Sequence, residues 1–293
     1  MSPVNLGTLM GKTTETLAAA GIEAARLETG LLVEHVTGFG RMAALGAPER
    51  AIETAASAAV AKLAARRTRG EPLAYLIGTR EFWSLDFLVT RQTLIPRPDS
   101  ECLVEAALAN RARLPDRPRI LDLGTGTGCL LLALLSEFKD ATGVGVDIDA
   151  GAATVARANA ERLGFSDRAR ILCGNWADCL NSGTKPGEFH IVVSNPPYIS
   201  ADEWPDLAPT VREFEPPRAL LGGTDGLNAY RQIAGRLPGL LAPGGLAILE
   251  IGARQAHQVA EILKFEGLKV QKPLKDLAGH DRCLLATLKK HDI

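Results

Sequence analysis

The chain has almost no excess charge, no paired cysteines and no apolar run long enough to cross a bilayer. Its 33 Lys and Arg nearly cancel 34 Asp and Glu, leaving a formal charge of −1. That balance gives no bulk attraction to nucleic acid, and residues 1–80, with nine Lys and Arg against seven Glu, make no DNA clamp. The five cysteines (Cys102, Cys129, Cys173, Cys179 and Cys283) are scattered and odd in number, without a Cys-x-x-Cys pair. Neither a disulfide framework nor a metal site is expected, which suits a reducing compartment. The N-terminus lacks a basic segment followed by an apolar one, so no leader is read and a cytoplasmic location is expected, with no membrane contact. Internal repeats are absent as well. With 46% hydrophobic and 23% charged residues, the 293-residue chain can bury a sizeable core in one large or two ordinary domains.

Residues 1–75 carry helical signals only. Leu6, Leu9, Met10 and Leu17 fall at helical spacing, as do Leu27, Leu31, Leu32 and Val36, and an Ala-rich stretch runs from about Glu49 to Thr68. A small helical domain is expected. Its Arg66-Arg67-x-Arg69 cluster reads as a solvated C-terminal cap, with contact to an acidic partner as the alternative. Residues 76–98 change character: Phe82, Trp83, Leu85, Phe87 and Val89 suggest a hairpin linker that Pro96-Arg97-Pro98 ends. From 99 to 293, strand candidates at 119–123, 142–147, 169–173, 190–194, 246–251, 268–271 and 283–288 alternate with helices for the most part. That alternation predicts a largely parallel, doubly wound α/β sheet.

Ser194-Asn195-Pro196-Pro197-Tyr198 closes the apolar strand Ile191-Val192-Val193 and is chemically unusual. Two prolines remove two N–H donors in succession and hold the preceding residues extended. The corner therefore offers acceptors: the Asn195 side-chain oxygen and the carbonyls of Asn195 and Pro196. A planar –NH2 group can dock there with both hydrogens satisfied. Such a nitrogen is a poor nucleophile, so a strong electrophile is needed nearby.

Gly124-Thr125-Gly126-Thr127-Gly128 follows the first strand of the sheet and precedes a leucine-rich helix. Glycines permit the tight turn and a close backbone approach by a ligand lying at the helix N-terminus. The spacing is G-x-G-x-G, with Cys129 where the last glycine of a dinucleotide loop would stand, which disfavours a nicotinamide oxidoreductase. Asp147 ends the second strand, where an acid can receive ribose hydroxyls, and Asp149 reads as the cap of the next helix. Trp176 follows the third strand, as a lid over an adenine or as a packing residue; the sequence leaves both open. These features gather at the carboxyl ends of strands, where open α/β sheets bind ligands.

Asp122-Leu-Gly-Thr-Gly-Thr-Gly128 together with Asn195-Pro-Pro-Tyr198 resembles the class I S-adenosylmethionine-dependent methyltransferases that act on amino groups. Glu71-Pro-Leu-Ala-Tyr75, Gly78, Glu81-Phe-Trp83, Leu94-Ile-Pro-Arg-Pro98, Glu215-Pro216, Ala219-Leu220, Asp225-Gly226 and Lys275-Asp-Leu-Ala-Gly-His-Asp281 narrow the resemblance to the PrmC/HemK family. It spans nearly the whole chain and is weakest over the first forty residues or so. Three departures stand out: Asp99-Ser100 where the family usually has Glu-Thr, Asn175 where an acid commonly precedes the Trp, and His190 where an Asp commonly opens the fourth strand. His190 reads as a strand-entry residue.

The resemblance implies a Rossmann-like class I methyltransferase sheet of seven strands at 99–293, with residues 1–75 recognising the substrate. It implies S-adenosyl-L-methionine as cofactor, with Gly124, Thr125, Gly126, Thr127 and Gly128 at its methionine part, Asp147 at the ribose and Trp176 at the adenine. Asn195 would touch cofactor and substrate, and Pro196, Pro197 and Tyr198 would complete a glutamine pocket. The implied substrate is the Gln of the Gly-Gly-Gln motif in class 1 peptide chain release factors, methylated at its amide nitrogen. A monomer is expected. The rivals are a DNA or RNA adenine-N6 methyltransferase, which would grip a flipped base at the same corner, and a non-catalytic S-adenosylmethionine-binding interaction protein. The neutral composition weighs against the first, and the intact acceptor corner weighs against the second.

Overall fold

Alanine and leucine at helical spacing fill the first quarter of the chain, and β-branched runs alternating with helices fill the rest. The computed structural model describes residues 4–180, 187–276 and 278–289; Leu277, within the 275–281 motif, lies outside the described residues. The chain divides into two units, Met1–Thr79 with Ala208–Phe214, and Arg80–Leu207 with Glu215–Ile293.

The first unit holds helices α1 (Leu6–Ala19), α2 (Ala25–Thr37), α3 (Arg41–Gly46), α4 (Thr54–Arg67) and α5 (Leu73–Ile77). The Asn5 side chain caps α1 by accepting the Thr8 N–H at 2.8 Å. Leu6, Leu17, Leu32, Val33 and Val60 are fully buried between the helices. The Ala-rich helix begins at Thr54, not near Glu49, because β1 (Val4–Asn5) and β2 (Ala51–Ile52) pair antiparallel. The arginine cluster is a second correction. Arg66 makes a two-pronged pair with Glu71 at 2.8 and 2.7 Å, and Arg67 one with Glu28 at 2.6 and 3.1 Å. Their partners lie past the Gly70 turn and on another helix, so two of the three arginines tie the unit internally rather than cap a helix in solvent. Arg69 is exposed. Gly70, at φ +93°, lies under Thr210 and Phe214: a Cβ there would sit 3.6 and 3.7 Å from their side chains.

The second unit opens with a hairpin of β3 (Thr79–Phe82) and β4 (Leu85–Leu88), whose first residue belongs to the helical unit. Trp83 and Ser84 make its turn with φ of 52° and 58°. Phe82 and Phe87 meet edge to face, 6.3 Å between centroids, inside the main core. Next come α6 (Glu101–Ala109), β5 (Arg119–Leu123), α7 (Cys129–Glu137), β6 (Thr142–Asp147), α8 (Ala150–Arg162), β7 (Ala169–Cys173) and β8 (Phe189–Ser194). They are followed by α9 (Asn228–Ala234), β9 (Leu241–Glu250), α10 (Ala256–Phe265), β10 (Leu268–Val270), β11 (Leu274–Lys275) and β12 (Asp281–Leu288).

The sheet order is β10-β12-β9-β8-β5-β6-β7, seven strands as expected, with the two-residue β11 added beside β12 as an eighth. From β9 to β7 the strands are parallel, and β12 runs antiparallel to both neighbours. Successive residues alternate between two cores. Ile120, Ile191, Val193 and Ile248 face α6, α7 and α8, whereas Leu121, Val192, Ala247 and Leu249 face α9 and α10. β9 starts five residues before the expected Leu246. Leu241 pairs with Phe189 and Leu246 with Ile191, so the Pro243-Gly244-Gly245 segment bulges outward where a proline cannot donate. Between β5 and β8 the order of connections reverses, which opens a crevice at their carboxyl ends. No helix among the described residues is long and apolar enough to cross a membrane.

Candidate active site

The crevice at that reversal has a volume of about 730 Å³, within the range that buries a drug-sized ligand. One wall is the loop between β5 and α7. Gly124, Gly126 and Gly128 hold φ of 74°, 55° and 83°, a region costly for other residues. Beneath the loop, Asp122 is buried, and its Oδ2 accepts the Thr125 hydroxyl at 2.7 Å. Its Oδ1 closes no hydrogen bond, although the Leu131 backbone N–H at the start of α7 favours the charged form. Burial outweighs these donors and raises the carboxyl from 3.8 to about 7. All five residues from Gly124 to Gly128 except Gly128 line the crevice.

Asp147 closes the end of β6. Its Oδ2 accepts the Gly126 N–H at 2.8 Å and its Oδ1 the Asp149 N–H at 2.9 Å. Each oxygen keeps a lone pair for a ligand hydroxyl. Burial raises its pKa against those two N–H bonds. Asp149 caps α8 through the Gly151 and Ala152 N–H groups, at 2.8 and 3.0 Å. Trp176 lines the crevice and also packs on the α9–α10 core. It sits at φ 48°, rare for so bulky a residue, with its indole N–H donating to Gln232 Oε1 on α9 at 3.0 Å. Its ring edge would lie 3.6 Å from a Cβ on Gly124, so the edge of the indole stands beside the glycine loop.

Across the crevice, β8 ends at the proline corner. Ser194 is buried, its hydroxyl donating to the Leu123 carbonyl at 2.6 Å, which fastens the corner to β5. Asn195 and Pro197 line the crevice, while Pro196 is buried outside the lining. Asn195 Nδ2 donates to Ser100 Oγ at 3.1 Å, and Ser100 Oγ donates to Glu250 Oε2 at 2.5 Å. Tyr198 turns from the crevice lining toward the same carboxylate, its hydroxyl donating to Oε1 at 3.4 Å. With its amino end occupied, Asn195 keeps Oδ1 as an acceptor. The next residues are pinned from behind: Ile199 and Leu221 form a parallel bridge, and Gln255 Nε2 donates to the Tyr198 carbonyl at 3.0 Å. Gly222 and Gly226 permit that approach, since Cβ atoms there would lie 2.7 Å from the Pro197 carbonyl and 2.4 Å from the Tyr198 carbonyl.

The flanking turns meet at the same place. Buried Glu215 accepts the Ile95 N–H at 3.2 Å and pairs with the Arg97 guanidinium. Pro96, Arg97 and Pro216 thereby form part of the crevice rim. The turn at Pro98–Ser100 then delivers Ser100 beneath Asn195. Asp276 accepts from Arg282 at 3.0 and 3.1 Å, holding that arginine where its charge acts on Glu250 and Tyr198. Sequence reasoning missed Glu250, Gln232 and the Gly222 support. The one available signal for Ser100 is a hydroxyl two residues after Ile95-Pro-Arg-Pro98. His190 sits at the far end of β8, where its Nδ1 accepts the Arg119 N–H at 3.0 Å.

The residues fit S-adenosylmethionine: positive-φ glycines leave the backbone bare, Asp147 retains acceptor capacity, and an aromatic ring lines the crevice beside them. The comparisons agree. Residues 8–78 match the PrmC N-terminal domain and residues 99–208 the methyltransferase small domain. The chain is 44% identical over 285 residues to the release factor glutamine methyltransferase of Rhodospirillum rubrum, covering 97% of this chain and 86% of that one. It is 40% identical over 286 residues to the Vibrio cholerae enzyme of that name, covering 98% of each. Among solved structures, the catalytic domain of hMettl16 in complex with the MAT2A 3′UTR hairpin 6 shares the fold at TM-score 0.56 and 17% identity, over 79% of this chain and 83% of that one. Low identity makes that likeness one of fold alone. This chain is an S-adenosylmethionine-dependent methyltransferase and belongs to the release factor glutamine methyltransferase family.

Proposed function

We propose that the enzyme methylates the side-chain amide nitrogen of the glutamine in the Gly-Gly-Gln motif of class 1 peptide chain release factors. One observation carries this reading: an acceptor-only corner faces a glycine loop across a single crevice, with the Asn195 amino group already committed to Ser100. S-adenosylmethionine would supply a methyl group on a sulfonium, electrophilic enough for a poor nucleophile. The Gly124–Gly128 backbone would hold its methionine part, Asp147 its ribose hydroxyls and Trp176 its adenine.

The protein's own work is positioning and polarisation. Asn195 Oδ1 accepts one N–H bond of the glutamine amide, and a backbone carbonyl of the corner accepts the other. This aligns the nitrogen and favours the positive charge that grows on it during attack. Pro197 supplies an apolar wall, and Tyr198 braces the corner through Glu250. No side chain there needs to take the proton, which passes to water once nitrogen has become cationic.

The helical unit is the proposed reader of the factor. Leu27 on α2 and Met42 and Leu45 on α3 are 59%, 78% and 63% exposed, an apolar display suited to protein contact. The test is transfer of labelled methyl from S-adenosylmethionine to purified release factor, to its Gly-Gly-Gln→Gly-Gly-Ala variant and to DNA. Label in the unmodified factor alone is the expected result, and label in DNA alone overturns the reading.

A further inference from the structure

We propose that Glu250 is a positioning residue that, acting through Ser100, sets which end of the Asn195 side-chain amide faces the substrate. The inference rests on the glutamine-methylation reading above and adds to it the device that keeps the corner acceptor-only.

An asparagine amide is nearly symmetric in shape, so packing alone hardly distinguishes its oxygen from its nitrogen. Here the choice falls to one neighbour, Ser100, and a serine hydroxyl has a single hydrogen. That hydrogen is committed to Glu250 Oε2 at 2.5 Å, a short charge-assisted bond. Ser100 Oγ can then only accept from Asn195, so Nδ2 turns toward it at 3.1 Å and Oδ1 is left for the incoming –NH2. Remove the negative charge and the logic reverses. A protonated Glu250 can donate to Ser100, which frees the serine hydrogen to donate to Asn195 Oδ1. The amide would then turn its –NH2 toward the glutamine –NH2, donor against donor, and binding of the reacting group would fail.

The surroundings leave Glu250 able to switch. It is 1% exposed at the end of β9. Facing it are Asp99 and Ser100 on the 98–100 turn, Tyr198 at the corner, Tyr230 on α9, and Arg282 on β12. Cys283 on β12, with Cys102 of α6 beside it, and Cys129 of α7 also sense its charge. Burial raises the Glu250 carboxyl from 4.5 to about 7, opposed by the Ser100 hydroxyl, the Arg282 charge and the Tyr198 hydroxyl, and reinforced by Asp99. Tyr198, Tyr230, Cys129 and Cys283 are raised above their ordinary values, away from neutrality.

Two measurements test the inference, both with the full chain. The first is kcat for methyl transfer to intact release factor between pH 5.5 and 8.5, with cofactor saturating at every pH so that Asp122 and Asp147, at the cofactor loop, do not enter. Wild type should lose rate as pH falls through about 7. Glu250→Gln and Ser100→Ala should lower kcat roughly 10–100-fold at pH 8, abolish the acid limb and leave cofactor affinity unchanged. The second reads the Asn195 side-chain amide resonances of the wild-type protein by NMR, which needs no variant to fold. They should shift with a midpoint near 7. An acid limb that persists in both variants, or Asn195 resonances that ignore pH, overturns the inference while leaving glutamine methylation intact. A wild-type enzyme that labels no factor glutamine overturns both.

Discussion

Asp122→Asn should make the enzyme more stable, and more so as pH rises. Asp122 is 1% exposed under the glycine loop, and burial raises its carboxyl from 3.8 to about 7. The folded state thus binds this proton more tightly than the unfolded chain. Below about pH 4 both states are protonated and the group costs nothing. As pH rises from 4 to 7 the unfolded chain ionises first, and stability falls; above 7 the penalty is constant. Each pKa unit is worth about 1.4 kcal/mol, so the full penalty is about 4 kcal/mol. An amide at this position fits both neighbours, its oxygen toward the Leu131 N–H and its –NH2 toward Thr125 Oγ1. The assay is urea unfolding of wild type and variant at steps from pH 4 to 9. The variant-minus-wild-type stability should be small at pH 4, climb through pH 7 and then level. Glu250 titrates in the same range but is present in both proteins, so it cancels in the difference. A difference that is flat with pH would refute the argument, because it would mean that Asp122 is ionised alike in both states.

Three further outcomes are expected. Arg67→Ala leaves the Glu28 carboxylate unpaired at 13% side-chain exposure and should destabilise the helical unit by about 2 kcal/mol, read from the denaturant midpoint, with cofactor affinity unchanged. Trp176→Ala should weaken cofactor binding about tenfold by calorimetry, since stacking of a base on an aromatic ring contributes ~1–3 kcal/mol; an unchanged affinity would assign the indole to packing alone. Met42→Glu with Leu45→Glu should raise KM for intact release factor several-fold without altering kcat or cofactor affinity, and an unchanged KM would remove those side chains from the recognition surface.

The sheet was legible because its signals are local. Short apolar runs mark β5 and β8 as strands buried on both faces, and glycine and proline punctuate the loops that carry function. The glycine loop, Asp147, Trp176 and Asn195 are legible as ends of strands for that reason, and the structure brings them to one crevice. What escaped were partners chosen by three-dimensional proximity. Glu250 looks like the polar end of a strand, yet it lies two bonds of a hydrogen-bonded chain from Asn195, which is 55 residues earlier. Arg67 looked like a solvated cap because Glu28, its partner, stands 39 residues away. β9 was read short because Pro243-Gly244-Gly245 resembles a turn, whereas the strand resumes its register after the bulge.

The excursion at Ala208–Phe214 has a consequence for how this enzyme can be divided or inherited. The helical unit is completed by seven residues that belong, in sequence, to the middle of the other unit, so the chain passes between the two units three times. A cut after Thr79 would yield an N-terminal fragment missing the side chains that cover Gly70, and a remainder carrying a short segment with nothing to fold against. Exchange of the helical unit by recombination would have to replace two distant stretches together. The two units are stitched rather than strung, and the return stitch begins ten residues after Tyr198.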